Sequence, residues 1–345
     1  MFTDQPLDQL QHRQATVAEP TDFAEFWCQT VAEAREYPVA VKLDRVSTSL
    51  RAIEVWEVRF GGWGGEPISA WLLVPADANR PLPAVVQFHG YGGGRGHPLD
   101  ELAWAAAGYA HLVMDNRGQG AGWSVGQTPD PHGTGPQVPG MMTKGIDSRE
   151  AYYYRRLMTD AVRAVDAVAS LELVDPDRLA VTGGSQGGAL ALAATAWSGL
   201  VKAADVRVPF LADIPHALQL TDTDPYGELV RFLASRPQDQ AQARVFEVLA
   251  YFDAANLARC ATAPAVFSVG LIDEITPAST VFAAYNNYAG PKDMAVYRFN
   301  GHEAGGTLDL ARAIAFFDRQ LGVESESTAE RSNGDVDLLA GGWSD

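Results

Sequence analysis

The chain has 345 residues, of which 47% are hydrophobic and 20% charged, a balance that excludes an intrinsically disordered protein. Its 26 basic and 43 acidic residues give a formal net charge of −17, which excludes a basic surface that binds nucleic acid. No run of about 18 apolar residues occurs, so we expect neither a membrane span nor a membrane partner.

The N-terminal residues lack the basic start and apolar run of a targeting segment, which predicts a soluble protein located in the cytoplasm. The two cysteines, Cys28 and Cys260, argue against a disulfide framework and fit a reducing compartment. We interpret both as core thiols without a functional role.

The predicted elements begin with an amphipathic helix at 21–36, where apolar side chains recur at helical spacing. Two extended segments, 51–60 and 66–76, flank a glycine-rich turn and predict an antiparallel lead-in to a sheet. From residue 83, short apolar runs alternate with helical segments, which indicates an α/β fold with a mostly parallel central sheet covered on both faces. The predicted strands are 83–90, 109–118, 177–185, 201–212, 263–273 and 293–300, and the predicted helices are 99–108, 149–171, 186–199 and 308–321.

Three segments depart from this alternation. Residues 213–257 lose their strands and predict a helical, cap-like insertion beside the carboxyl ends of the strands, where open α/β sheets bind ligands. Residues 120–147 form a long connection rich in Gly and Pro, which we expect to be functional or to form an interface. Residues 323–345 are acidic and predict a flexible tail, so a single domain spans 1–322.

The strongest chemical signal is the G-x-S-x-G motif of residues 183–187, which lies between an apolar strand and a helix. In this context the turn is so tight that the serine adopts a strained conformation, and glycines two positions to either side leave room for the crossing chain. We therefore predict that Ser185 is a nucleophile presented above the sheet. No phosphate-loop motif occurs.

A serine nucleophile needs a base, and in this type of fold the order is serine, acid, histidine. Only His216 and His302 follow Ser185 in the sequence. His302 comes directly after a predicted strand, whereas His216 lies in the insertion, so we predict that His302 is the base.

The acid that orients the base is expected at the end of a strand between serine and histidine. Asp273 meets this condition, and Glu274 beside it is the main rival. Asp253 and Asp293 have weaker strand contexts. An Asp after a strand can also be a helix cap, and Asp273 could partly cap a helix that starts near Pro277.

Acyl transfer also needs donors for the developing oxyanion. The backbone N–H of Gln186, the residue after the nucleophile, is one candidate. Tyr91 is the other, because the segment 89–94 (HGYGGG) follows a strand in the place of an HGGG-type loop. Residues 117–119 (Arg117, Gly118 and Gln119) match no general mechanism, and we expect Arg117 to pair with a carboxylate or backbone carbonyls and to organise loops.

The chain resembles the acetyl xylan esterase and cephalosporin C deacetylase family, carbohydrate esterase family seven. The resemblance is carried by the segments FHGYGGGRG, RGQGAGW and GGSQGG, an Asp after a strand, and GHE. The resemblance implies an α/β-hydrolase fold and a serine esterase that deacetylates small acetylated sugars, xylo-oligosaccharides and cephalosporin C. It implies the same catalytic residues (Ser185, Asp273, His302, Tyr91 and Gln186). It also implies an enzyme that requires neither a cofactor nor a metal.

The resemblance also implies a homohexamer, a trimer of dimers, with the loop 120–147 at an interface. Two other hypotheses stay open. One is a different serine hydrolase on the same fold, such as a longer-chain carboxylesterase or a peptidase. The other is a binding or scaffold protein without catalysis, against which the complete set of candidate residues argues.

Overall fold

The computed structural model describes residues 4–78, 81–132 and 140–323. Within them lie the strands β1 Lys42–Val46, β2 Ile53–Gly61, β3 Pro67–Pro75, β4 Leu82–Phe88, β5 Ala110–Met114, β6 Val174–Gly184, β7 Ala203–Arg207, β8 Ala265–Gly270 and β9 Lys292–Tyr297. These strands form one sheet in the order β1-β2-β3-β5-β4-β6-β7-β8-β9.

The sheet is parallel from β5 to β9 and antiparallel from β1 to β3, and β3 pairs antiparallel with β5. The predicted antiparallel lead-in is thus confirmed. Strand β1 was not predicted. It is mostly exposed and carries Lys, Asp and Arg, so its sequence lacks the apolar alternation that indicates a strand.

The helices of the described chain cover both faces of the sheet. They are α1 Leu7–Leu10, α2 Phe23–Arg35, α3 Ala103–Ala106, α4 Tyr153–Ala169, α5 Gln186–Trp197, α6 Ile214–Leu220, α7 Tyr226–Ala234, α8 Asp239–Leu249, α9 Ala254–Cys260, α10 Ala278–Asn287 and α11 Thr307–Leu321. All of β4 is buried: Val86 packs in the cluster with α4 and α5, and Val85 packs on the other face with Phe317 of α11. Burial on both faces explains why this strand is a continuous apolar run.

Residues 213–257 form helices α6 to α8 and the start of α9, between β7 and β8. Two other segments fall partly outside the described residues: 133–139 of the long connection, and nearly all of the acidic tail. No helix of the described chain is both long and apolar enough to cross a membrane.

Two predictions of local structure were wrong. Residues 99–108 hold only a short 3-10 turn, Pro98–Asp100, and the single turn α3, because the Asp100 carboxylate accepts a hydrogen bond from His97 N (2.8 Å) and closes a separate turn. Cys28 is exposed and is not a core thiol, whereas Cys260 is half-buried and packs against the main hydrophobic core. Cys28 lies on the solvent side of the amphipathic helix α2, one position after the buried Trp27.

Candidate active site

Ser185 occupies the turn between β6 and α5, with φ 58° and ψ −123°. A non-glycine residue in this region is strained, and the surrounding structure has to hold it there. The backbone does so on both sides: Ser185 N donates to Arg207 O (3.0 Å), and Phe210 N donates to Ser185 O (3.0 Å). Strands β6 and β7 therefore fix the serine at the start of helix α5.

The glycines at both ends of the motif are required by contact. A Cβ on Gly183 would lie 2.2 Å from the Gly187 carbonyl oxygen, and a Cβ on Gly187 would lie 2.2 Å from the Phe88 carbonyl oxygen. Any side chain at either position would collide with backbone that cannot move independently. The predicted reason for the glycine spacing is confirmed.

Asp273 and His302 form a hydrogen-bonded pair at the ends of β8 and β9, with 2.8 Å between His302 Nδ1 and Asp273 Oδ2. Asp273 is buried, and Oδ1 accepts hydrogen bonds from Ile275 N (2.8 Å) and Thr276 N (2.9 Å). The Thr276 hydroxyl donates to Oδ2 (2.7 Å) and lies 3.3 Å from His302 Nδ1. The carboxylate thus orients the imidazole through Nδ1 and leaves Nε2 for another partner.

One cavity of about 490 Å³ joins Ser185, His302 and Tyr91. In the part of the chain that the structure covers, the backbone N–H groups of Tyr91 and Gln186 have no protein acceptor. Gln186 begins α5, and the partial positive charge of a helix N-terminus favours an anion at this position. These two groups have the chemistry of oxyanion donors.

The side chain of Gln119 connects the loop of Tyr91 to the serine turn. Its Oε1 accepts from Gly92 N (2.7 Å), and its Nε2 donates to Gln186 Oε1 (2.9 Å) and to the hydroxyl of Tyr153 (2.9 Å). The sequence singled out Gln119 only as part of a motif. The hydrogen bonds indicate that it positions the two candidate donors relative to each other.

Arg117 lies in the connection after β5 and is completely buried. Its guanidinium donates to Asp160 (Nε to Oδ2, 2.5 Å), to Glu66 (2.5 Å) and, more weakly, to Asp130 (3.4 Å). Asp160 on α4 also accepts from Trp63 N (2.9 Å). These contacts join α4 to two loops, and the structural role of Arg117 stays a prediction that stability measurements can test.

Replacing Arg117 with Met should lower the free energy of unfolding by about 3–5 kcal/mol, because it leaves the buried Asp160 carboxylate without its cation. Burial already raises the pKa of Asp160, and Arg117 opposes that rise. Without Arg117 the folded-state pKa should rise further above the unfolded value, so the loss of stability should increase with pH. Urea unfolding at pH 5 and pH 8 measures this. The double variant with Asp160→Asn should recover part of the loss, and equal stability of wild type and Arg117→Met would contradict the role.

Glu228, which no sequence motif indicates, lies on α7 of the insertion beside Tyr91. The Tyr91 hydroxyl donates to Glu228 Oε1 (2.6 Å) and accepts from Met141 N (2.6 Å), and Met142 N donates to Glu228 Oε2 (3.1 Å). Burial raises the pKa of Glu228. The insertion, the loop of Tyr91 and the long connection therefore meet at one buried carboxyl group.

The rival candidates lie elsewhere. His216 Nε2 is 3.0 Å from the Ser279 hydroxyl, and Glu274 is exposed. Asp253 caps α9 through Ala255 N, and Asp293 is largely exposed on β9. Among the residues described, no cluster of His, Cys, Asp or Glu is arranged to hold a metal ion.

The chain has the α/β-hydrolase fold, as predicted. Its defining features are the mostly parallel sheet, the serine on a strained turn from strand to helix, and the Asp–His pair at the ends of later strands. Residues 1–320 match the sequence profile described as acetyl xylan esterase (AXE1). The chain belongs to the acetyl xylan esterase family, which confirms the resemblance drawn from its motifs.

Solved structures agree with this assignment. The acetyl xylan esterase from Paenibacillus sp. R4 is 37% identical, with a TM-score of 0.87 over 92% of this chain and 100% of that one. Acetyl xylan esterase 1 from Thermoanaerobacterium sp. JW/SL YS485 is 33% identical, with a TM-score of 0.85 over 91% of this chain and 99% of that one. The acetyl esterase Axe7A of Xylanibacter ruminicola is 28% identical over 82% of this chain, which spans only 63% of that protein.

Proposed function

We propose that this chain is a serine esterase that removes acetyl groups from small acetylated carbohydrates, including xylo-oligosaccharides, and from cephalosporin C. The observation that carries the proposal is a serine on a strained turn, in one cavity with a histidine whose Nδ1 is hydrogen-bonded to a buried aspartate. Membership of the acetyl xylan esterase family supports the choice of acetyl esters.

In the proposed reaction Ser185 Oγ attacks the acetyl carbonyl carbon while His302 Nε2 takes the hydroxyl proton. The oxygen that becomes negative accepts hydrogen bonds from the backbone N–H groups of Tyr91 and Gln186. His302 then gives the proton to the departing sugar oxygen, and an acetyl group remains on Ser185. Asp273 holds the imidazole in the tautomer that leaves Nε2 free to accept a proton.

Water completes the cycle. The water oxygen attacks the carbonyl carbon of the acetyl-enzyme while His302 Nε2 takes a proton from the water. His302 then gives that proton to Ser185 Oγ as acetate leaves. Both halves of the reaction use Ser185, His302 and the same two oxyanion donors.

The preference for acetyl is supported by the fixed wall formed by Tyr91. Its hydroxyl is bonded to Glu228, and its ring packs against Phe210 (6.4 Å between centroids), which in turn packs against Tyr226 (4.4 Å). In the proposed complex the acetyl methyl group lies against this ring, whose contacts oppose displacement by a longer acyl chain. Misfit by one methylene in such a pocket typically costs a factor of about 10 to 200.

We therefore expect kcat/KM for 4-nitrophenyl esters to fall at least about tenfold between acetyl and butyryl, and further to octanoyl. Hydrolysis rates across the ester series, with wild type and Ser185→Ala in the same plate, measure this. A flat or rising series would reject the acetyl preference and favour a longer-chain carboxylesterase. The homohexamer and the cytoplasmic location stay predictions.

A further inference from the structure

The active-site cavity has a polar side in addition to the wall formed by Tyr91. This polar side, here called the charged wing, consists of Gln87, His89, Glu101 and Arg207, which line the same cavity as Ser185. Arg207 ends β7 opposite Gly184 in the sheet register, and its carbonyl accepts the hydrogen bond of Ser185 N (3.0 Å). The charged wing is therefore next to the nucleophile.

Arg207 has unused hydrogen-bonding capacity. Its Nη2 donates weakly to the Thr182 hydroxyl (3.4 Å), and its Nε lies 3.3 Å from Asp205 Oδ2 without making a hydrogen bond to any described residue. The side chain is 25% exposed, and its charge is close enough to act on Glu101 and His89, which line the same cavity. A guanidinium carries five N–H donors in a rigid plane; Nε is buried here, and the terminal N–H groups that Thr182 does not use remain for a ligand.

His89 adds a second unsatisfied group. The residue is 5% exposed, and within the described chain its buried Nε2 has no hydrogen-bond partner. Its ring packs edge-on against Trp123 (5.9 Å between centroids). Burial lowers the pKa of His89 to about 4, so the ring is neutral at pH 7 and offers one donor and one acceptor. Leaving this polar atom buried without a partner costs stability, which marks His89 as a candidate functional group.

Glu101 supplies a carboxylate acceptor, and its side chain is hydrogen-bonded to Gln87. Its backbone carbonyl lies 3.2 Å from His111 Nδ1, and His111 Nε2 lies 3.0 Å from Gln87 Oε1. The Glu101 carboxylate balances the charge of Arg207, and the buried Asp205 stands beside the guanidinium. Because these carboxylates offset the guanidinium, the charged wing has no excess positive charge that would select an anion.

We propose that Arg207, Glu101 and His89 form a subsite that binds the free hydroxyl groups of the alcohol part of the ester, a neutral carbohydrate. Hydroxyls both donate and accept, so they match a guanidinium, a carboxylate and a neutral imidazole side by side. The acetyl methyl group forms no hydrogen bonds with the guanidinium, carboxylate or imidazole, so it fits the apolar side of the cavity instead. This inference rests on the proposed esterase function.

The test compares two acetyl esters in Arg207→Met and Glu101→Gln. One is a monoacetylated methyl β-xyloside, which keeps free hydroxyls, and the other is 4-nitrophenyl acetate, whose alcohol has none. We expect the ratio of kcat/KM for the xyloside to kcat/KM for 4-nitrophenyl acetate to fall at least about tenfold, mainly through KM of the xyloside. Taking this ratio within one preparation cancels any difference in the folded fraction.

The matched control is Arg45→Met, which removes an exposed arginine from the edge strand β1 and should keep the wild-type ratio. Xylobiose should also inhibit hydrolysis of 4-nitrophenyl acetate competitively in the wild type, and at least tenfold less strongly in Arg207→Met. An unchanged ratio, or absence of inhibition by xylobiose in the wild type, would overturn the subsite. A wild type that hydrolyses neither ester would instead reject the esterase function.

Discussion

Replacing Ser185 with Ala should lower kcat for 4-nitrophenyl acetate by about 10⁴ or more, because the variant lacks the atom that forms the acetyl-enzyme. The fold should be unaffected, since the serine is held through its backbone N–H and carbonyl, which alanine retains. Steady-state rates at saturating substrate measure the effect. Residual turnover above the rate in buffer would reflect the oxyanion donors alone.

The control for this variant is Ser170→Ala. Ser170 follows the last residue of α4, where its hydroxyl donates only to the backbone carbonyl of Ala167 (2.7 Å). This variant should keep wild-type turnover. If Ser185→Ala also kept near-wild-type turnover, Ser185 would not be the nucleophile and the proposed mechanism would fail.

Local motifs predicted Ser185, Asp273 and His302 because the spacing of each motif follows directly from a physical requirement of the fold. The glycine spacing around Ser185 follows from two backbone contacts of 2.2 Å that any Cβ would make. The order of serine, acid and histidine follows from the order of the strands, whose carboxyl ends lie at one edge of the sheet. Sequence reasoning therefore selected Asp273 and His302, and the structure joins them by a hydrogen bond.

Other features depend on contacts between distant segments, which no spacing in the sequence encodes. Tyr91 and Glu228 are 137 positions apart, and only the packing of α7 over the site brings their side chains within 2.6 Å. Likewise, Glu101 lies in the connection between β4 and β5 and Arg207 ends β7, yet both line one cavity. A residue such as Glu101 follows no recognisable motif, so the sequence gives no reason to select it from the 43 acidic residues.

Replacing His302 or Asp273 should lower kcat by different amounts. His302→Ala should lower kcat by about as much as Ser185→Ala, around 10⁴, because nothing else accepts the serine proton. Asp273→Asn should cost somewhat less, because losing the acid of a triad costs less than losing the serine or the histidine. The asparagine Oδ1 can still accept the backbone hydrogen bonds of Ile275 and Thr276, so the loop should be preserved. Its NH₂ group, however, can donate to His302 Nδ1 and favour the tautomer that carries the proton on Nε2, where it cannot accept one from Ser185.

Two comparisons separate this mechanism from a merely structural effect. Glu274→Gln changes the exposed carboxyl group next to Asp273 and should keep wild-type kcat, since its side chain does not contact the imidazole. The double variant Ser185→Ala/His302→Ala should be no slower than either single variant, because the two residues act as one unit. Additive losses, or a larger effect of Glu274→Gln than of Asp273→Asn, would show that the acid and base assignments are wrong.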